Sequence, residues 1–248
     1  GLIAAQQVAR AAPDGYTVFI TSMTTQSVNP FLYKKLPYDP VADFIPVAMI
    51  SKTAMVLVVR NTEDQPKSVA ELTARMQAAG SKLSFASGNT SSLVAGKTYS
   101  NAVSSPALHV PYKGIPQAVT DLMAGAVDFM FSDLTVANPL VQQGRLRGLG
   151  VTGPTRASTQ QDVPTMREAG MPIELSVWAG AYVPAKTPHA VVVRLNELLN
   201  QATQSKQGQE RFKQTGGTVD TMSPEEFAKF NEQEVLFWGR AVRGAPWA

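Results

Sequence analysis

Short apolar runs alternate along this chain with longer stretches whose apolar residues recur at helical spacing. Residues 16–20, 47–50, 55–59, 83–86, 108–111, 127–131, 146–152 and 174–183 are rich in β-branched and aromatic side chains and read as strands, 16–20 as a buried one. The intervening stretches read as helices over 1–12, 68–80, 93–103, 115–124, 134–143, 188–204 and 223–242, with shorter pieces at 29–33 and 209–215. Ser68 with Glu71, and Ser223 with Pro224 and Glu226, have the spacing of helix-starting caps. Gly125 and Gly144 stop the helices that precede them. Phe227, Phe230, Val235 and Trp238 fall on one face of the last helix and read as core packing.

Strands that alternate with helices predict an α/β protein with mostly parallel sheets flanked by helices. Residues 60–176 form a self-contained series of strand and helix. This predicts a two-lobed molecule, with 60–176 as one lobe and 1–59 plus 177–248 as the other. The crossings fall near Val59 and Val177.

Several strands end in polar turns. The run at 83–86 breaks into Ser87, Gly88, Asn89, Thr90, Ser91 and Ser92 before helical residues resume at Leu93. The first amides of a helix lack internal partners and its dipole makes that end partly positive, so such a turn can cradle an anion. Ser91 or Ser92 is the expected N-cap. The same stretch also reads as an ordinary turn, because Ser, Gly and Asn favour turns for local reasons. Ser22, Met23, Thr24 and Thr25 follow another strand, and open α/β sheets bind ligands at such strand ends. Ser132 with Asp133, and the 112–114 turn with Lys113, are further candidates. None of these turns holds an acid–base pair suited to catalysis. They have the equipment of a binding site.

Composition narrows the chemistry. At 248 residues with 44% hydrophobic and 17% charged content, the chain can build real cores. A net charge of +3 is too mild and too scattered for nucleic-acid binding. Without cysteine there is no disulfide, thiolate catalysis or Cys-type zinc site. No apolar run approaches the ~20 residues of a bilayer span, so direct membrane insertion is not expected. Two isolated histidines, His109 and His189, give no metal-ligand spacing, and no cofactor or metal is expected. Residues 91–98, SSLVAGKT, miss the phosphate-loop pattern by one glycine, leaving a nucleotide-binding enzyme as a weak alternative. A serine hydrolase using either histidine is another, without a G-x-S-x-G elbow.

Longer segments carry a resemblance. They include PDGYT at 13–17, NPFLYKKLPYDPVADFIPVAMI at 29–50, FASGNTSSLVAG at 85–96 and HVPYKGIPQAVTDLMAGAVDFMF at 109–131. GRLRGLGVT at 144–152, DVPTMREAGMP at 162–172 and WAGAYVPAKTP at 178–188 follow in order. Together they resemble the substrate-binding proteins of tripartite tricarboxylate transporters, the Bug or TctC family. The resemblance implies a type II periplasmic-binding-protein fold with a ligand cleft between its lobes. It also implies a monomeric, non-enzymatic bacterial periplasmic protein that delivers a small carboxylate to membrane permease subunits. That carboxylate could be a di- or tricarboxylate, an amino acid or an aromatic acid. By position, the 22–25 and 87–92 turns match the family's binding loops, with Lys113, Ser132 and Asp133 as weaker matches. Family members begin with a signal peptide, a strand, a Pro-Phe-x-x-Gly-Gly type loop and a long helix. The sequence read here starts at Gly1, partway into the first lobe, without them.

Overall fold

The computed structural model describes residues 1–79 and 82–242. The elements are, in chain order, α1 (Leu2–Ala9), β1 (Phe19–Ser22), a π-helical turn (Thr24–Val28), α2 (Asn29–Leu32), β2 (Phe44–Arg60) and α3 (Val69–Ala79). Then come β3 (Ser84–Ser87), α4 (Thr90–Ala102), β4 (Leu108–Pro111), α5 (Ile115–Ala124), β5 (Phe129–Asp133), α6 (Leu134–Gln142) and β6 (Leu146–Val151). The chain closes with β7 (Ser176–Pro184), α7 (His189–Gln204), α8 (Lys206–Thr215), β8 (Gly217–Thr218) and α9 (Pro224–Val242). Gly80, where the α3 helix was expected to end, lies outside the described residues.

The chain divides into two compact units. Unit 1 holds Gly1–Lys52, Val177–Phe212 and the residues from Thr218 onward; unit 2 holds Thr53–Ser176 and Lys213–Gly217. The first division falls inside β2, before the Val59 expected from sequence. Residues 47–50 and 55–59 are one continuous strand, not two.

In unit 1, β1 pairs antiparallel with β7, Phe19 opposite Tyr182 and Ser22 opposite Ala179. Only one face of β1 is covered: Phe19 and Thr21 are buried, while Val18 and Ile20 are exposed. This edge strand is therefore half-exposed, not buried throughout. The core forms where α9 packs on β7. Trp178 and Tyr182 of β7 meet Phe227 of α9 with ring centroids 5.8 and 5.5 Å away. Gly180 makes that approach possible, since a side-chain carbon there would lie 2.2 Å from the Phe227 ring. The helical spacing of Phe227, Phe230 and Trp238 does serve the core, and Trp238 is fully buried. The cap at the start of α9 forms as the sequence implies: Ser223 Oγ accepts from the Glu226 amide, and Glu226 accepts from the Ser223 amide.

In unit 2 the strands run in the order β2-β5-β3-β4, with β6 also on β2. β3 is parallel to both β4 and β5, whereas β2 is antiparallel to β5 and β6, so the sheet is mixed. The parallel trio orders the rest of the unit. Each of its strands feeds a helix, α4, α5 or α6, which brings three helix N-termini to the same sheet edge. Phe85, Phe129, Phe131 and Tyr99 fill the layer between the strands and α4. Each such buried side chain contributes about 1.5–3 kcal/mol. α4 lies close on β3 because Gly96 leaves room for the Phe85 ring, 2.3 Å from where a side-chain carbon would sit. On the other face, Ala118, Val119 and Leu122 of α5 join Leu134 and Ala137 of α6 over Val56, Val58 and Met130.

Candidate carboxylate site

β3 is the middle strand of the parallel trio, so the turn after it, 87–92, is flanked by the turns after β4 and β5. The packing is close. A side-chain carbon at Gly88 would sit 2.3 Å from the backbone carbonyl carbon of Gly114 and from the Ile115 nitrogen. The Tyr112 amide donates to the Ser87 carbonyl at 2.8 Å, tying the two turns together. On the other side, the Asn89 side-chain amide donates to Asp133 Oδ2 at 3.2 Å.

The helix cap differs from the sequence expectation. Asn89, not Ser91 or Ser92, is the N-cap of α4, with extended backbone at φ −156° and ψ 174°. Its Oδ1 accepts from the Ser92 amide at 2.8 Å. Ser92 Oγ accepts from the amides of Gly88 and Asn89 and donates back to the Asn89 carbonyl. This is a capping box with Ser in place of the usual Glu or Gln at the third helical position. The Ser92 amide and hydroxyl, both candidates from sequence, are thus committed within the turn. Among the described residues, the amides of Thr90 and Ser91 have no intramolecular acceptor. These two N–H groups, at the positive end of a 13-residue helix, are what the turn leaves free for an anion.

The neighbouring groups are placed as follows. Ser87 is buried, and its Oγ lies 2.7 Å from His109 Nε2. Burial and then the Lys97 charge hold the His109 imidazole below its ordinary value, which favours the neutral ring. Ser132 is fully buried and Lys113 is exposed. Asp133 ends β5 opposite Met55 and occupies the N-cap position of α6 without capping it. Burial pushes its carboxyl above the ordinary aspartate range, against the lowering effect of the Asn89 hydrogen bond. Its Oδ1 is out of contact with water and has no partner.

In unit 1, Ser22 is exposed at the end of β1 and Thr24 is half-buried. Met23 is fully buried and its thioether packs in the core. Thr25 is turned inward too. Its Oγ1 accepts from Thr21 at 2.9 Å and its carbonyl accepts from Tyr38 at 2.7 Å. The turn after β1 is π-helical rather than an open loop. A cavity of about 350 Å³ in the same unit, lined by Val41, Phe44, Val235 and Leu236, is apolar and contains none of the candidate residues.

Two enzymatic alternatives fail on geometry. The 91–98 stretch lies wholly inside α4, so no loop wraps a phosphate there. The Ser87–His109 pair has the distance of a nucleophile and base, but Ser87 is only 5% exposed, and among the described residues no carboxylate is bonded to the imidazole. His189 is exposed and faces Glu225 at 3.7 Å in unit 1.

Comparison with known proteins decides the family. A model described as the tripartite tricarboxylate transporter family receptor matches residues 1–245. The chain belongs to that family. A relative from Pseudomonas sp. (strain P51), the UPF0065 protein in the tcbD-tcbE intergenic region, is 35% identical over 98% of this chain and 73% of its own length. Protein BugT of Bordetella pertussis is 29% identical over 98% of the chain and 76% of its own length. Among solved structures, R. palustris Rpa4515 with adipate superposes with a TM-score of 0.90 at 28% identity, covering 98% of this chain and 82% of that one. The periplasmic binding protein BugD gives 0.86 at 30% identity over 98% and 82%. MatC (Rpa3494) from Rhodopseudomonas palustris, with bound malate, gives 0.84 at 28% identity over 97% and 84%. Among the described residues no helix is long and apolar enough to cross a membrane.

Proposed function

We propose that this protein is a periplasmic solute-binding receptor that captures a small carboxylate and presents it to the permease subunits of a tripartite transporter, without turning it over. The observation that carries the reading is the pair of unpartnered amides, Thr90 and Ser91, at the start of α4 in the parallel trio of unit 2. A carboxylate placed there accepts two backbone hydrogen bonds along the helix dipole, each of the charge-assisted kind worth about 1.5–3 kcal/mol. Lys113, exposed in the turn after the neighbouring strand β4, adds a positive charge at the same end of the sheet. The adipate and malate of two structural neighbours support the ligand class. In this reading the two compact units are the two lobes, the protein works as a monomer, and the exposed Ser22 and half-buried Thr24 are the ligand candidates of unit 1.

The test is Thr90→Pro. Proline is tolerated at the first helical position, and the extended backbone of Asn89 suits the residue before it. The substitution removes one free amide and breaks no existing backbone bond. In calorimetry on the full-length protein with C4–C6 dicarboxylates, affinity should fall about tenfold or more. Thr90→Val, which removes only the hydroxyl, should do much less. Equal affinity in a folded Thr90→Pro protein would remove the amides from the site. A parent that binds no member of the panel would reject the carboxylate class.

A further inference from the structure

The cradle is bordered by a group that a plain anion site would not keep. Asp133 stands where an aspartate ordinarily caps the next helix, yet its side chain makes no bond to the first amides of α6. It turns instead to Asn89, the cap of α4, and accepts a single hydrogen bond there on Oδ2. Oδ1 is buried without any donor. Among the described residues, no Lys, Arg or His forms an ion pair with it. A carboxylate in that condition is costly, because each buried acceptor left unpaired forfeits the hydrogen bond that water would have made. Its partner Asn89 is the residue immediately before Thr90, whose amide is free.

Resting on the carboxylate reading above, we propose that Asp133 is the specificity-determining residue of this site and selects acids that carry a hydrogen-bond donor beside the bound carboxylate. The ligand class is then a 2-amino or 2-hydroxy acid. Its carboxylate sits on the Thr90 and Ser91 amides, and its ammonium or hydroxyl donates to the Asp133 carboxylate. An acid without the donor leaves two negative groups close together and Asp133 still short of a partner. It is therefore disfavoured by repulsion as well as by the missing bond. Protonation of Asp133 would ease both penalties, and its burial already favours the neutral form. The selection is strongest where the side chain is ionised.

The experiment compares L-aspartate, L-malate and succinate, three C4 acids that differ only at one carbon. Each is titrated by calorimetry into the full-length protein and into Asp133→Asn, which keeps the size and removes the charge. In the parent, L-aspartate or L-malate should bind about tenfold or more tighter than succinate, the range of one charge-assisted hydrogen bond. In Asp133→Asn that ratio should collapse, with succinate binding as well as before or better. A purely structural role would weaken all three acids alike and leave the ratio in place, which would overturn the proposal. So would a parent that binds succinate as tightly as the other two, a result that needs no variant to fold. If none of the three binds the parent, the carboxylate reading falls and takes this inference with it. If succinate alone binds, only this inference falls.

Discussion

Gly88→Ala tests the packing on which the site depends. The backbone of Gly88 has no special torsional need; what forbids a side chain is contact. A side-chain carbon would meet the Gly114 carbonyl carbon and the Ile115 nitrogen at 2.3 Å and the Gly114 oxygen at 2.6 Å. Ordinary contact begins near 3.4 Å, so the turns after β3 and β4 must part by about 1 Å. Backbone atoms cannot rotate out of the way as a side chain would. Overpacking of this kind costs about 1–3 kcal/mol. Separation also strains the 2.8 Å bond from the Tyr112 amide to the Ser87 carbonyl, worth about 1 kcal/mol. Lower chain entropy in the unfolded state returns about 0.4–1 kcal/mol. The net loss is about 2 kcal/mol at the middle of these ranges, or about 4–8 °C in melting temperature for a chain of this size. Gly114→Ala is the matched control on the opposite side of the same contact. Its nearest neighbour would be Pro116 Cδ at 3.7 Å, and its backbone is extended, so it should stay within about 1 kcal/mol of the parent. Thermal denaturation followed by circular dichroism reads both. If Gly88→Ala melts within about 2 °C of the parent and binds its ligand equally well, the two turns are not packed as described and the cradle loses its support.

Asn89→Ala removes the cap of α4 together with the one hydrogen-bond partner that the Asp133 side chain has among the described residues. Chemical denaturation should show a loss of about 0.5–2 kcal/mol, typical of an N-cap, with a weaker ligand affinity in the same preparation. An unchanged midpoint would mean that the capping box contributes nothing. Glu234→Gln addresses pH. Glu234 Oε2 accepts from both Trp178 Nε1 at 2.7 Å and Trp238 Nε1 at 2.9 Å. Burial nevertheless pushes its carboxyl above the ordinary glutamate value, against the lowering effects of the two indoles and of Lys52. The native state therefore holds this proton more tightly than the unfolded state. Its contribution to stability is greatest below the ordinary glutamate value and is lost as pH rises through the raised one. The stability of the parent relative to Glu234→Gln should fall over that window in parallel denaturant titrations. A difference that grows with pH would reverse the sign and refute the assignment.

The alternation of strand and helix was legible in the sequence because strands buried on both faces leave unbroken apolar runs. Phe129–Phe131 of β5 is such a run, and in β3 Phe85 and Ala86 are buried beside the half-buried Ser84. The continuity of β2 was not legible. Its two buried ends are separated by half-buried residues from Ile50 through Ala54, which read locally as a break. Edge position hid the exposure of β1, since Val18 and Ile20 look the same whether or not a neighbour covers them. Asn89 carries no capping-box signature in the sequence, because a serine stands three residues later in place of the acid. The Trp178–Glu234–Trp238 cluster joins residues 56 apart and leaves no mark at helical spacing beyond the pair on α9.

The same distinction governs the site. Sequence shows which hydroxyls lie in a turn, but hydrogen bonds decide which of them remain available. Ser87 is committed to His109, and Ser92 to the start of its own helix. Thr25 is committed to Thr21 and Tyr38. What remains at the centre is backbone, the amides of Thr90 and Ser91. Backbone donors recognise a carboxylate whatever side chains surround them, so they fix the chemical group and not the molecule. Discrimination among acids must then come from the side chains at the border of the cradle. There the sheet order sets Lys113 on one side and Asp133 on the other. A cation beside the amides strengthens the hold on any anion. An incompletely paired carboxylate beside them rejects most anions and favours those that bring a donor. Of the two, only Asp133 carries a deficit that the protein itself leaves unmet, which is why a substitution there should change the ranking of ligands while one at Lys113 should lower them together.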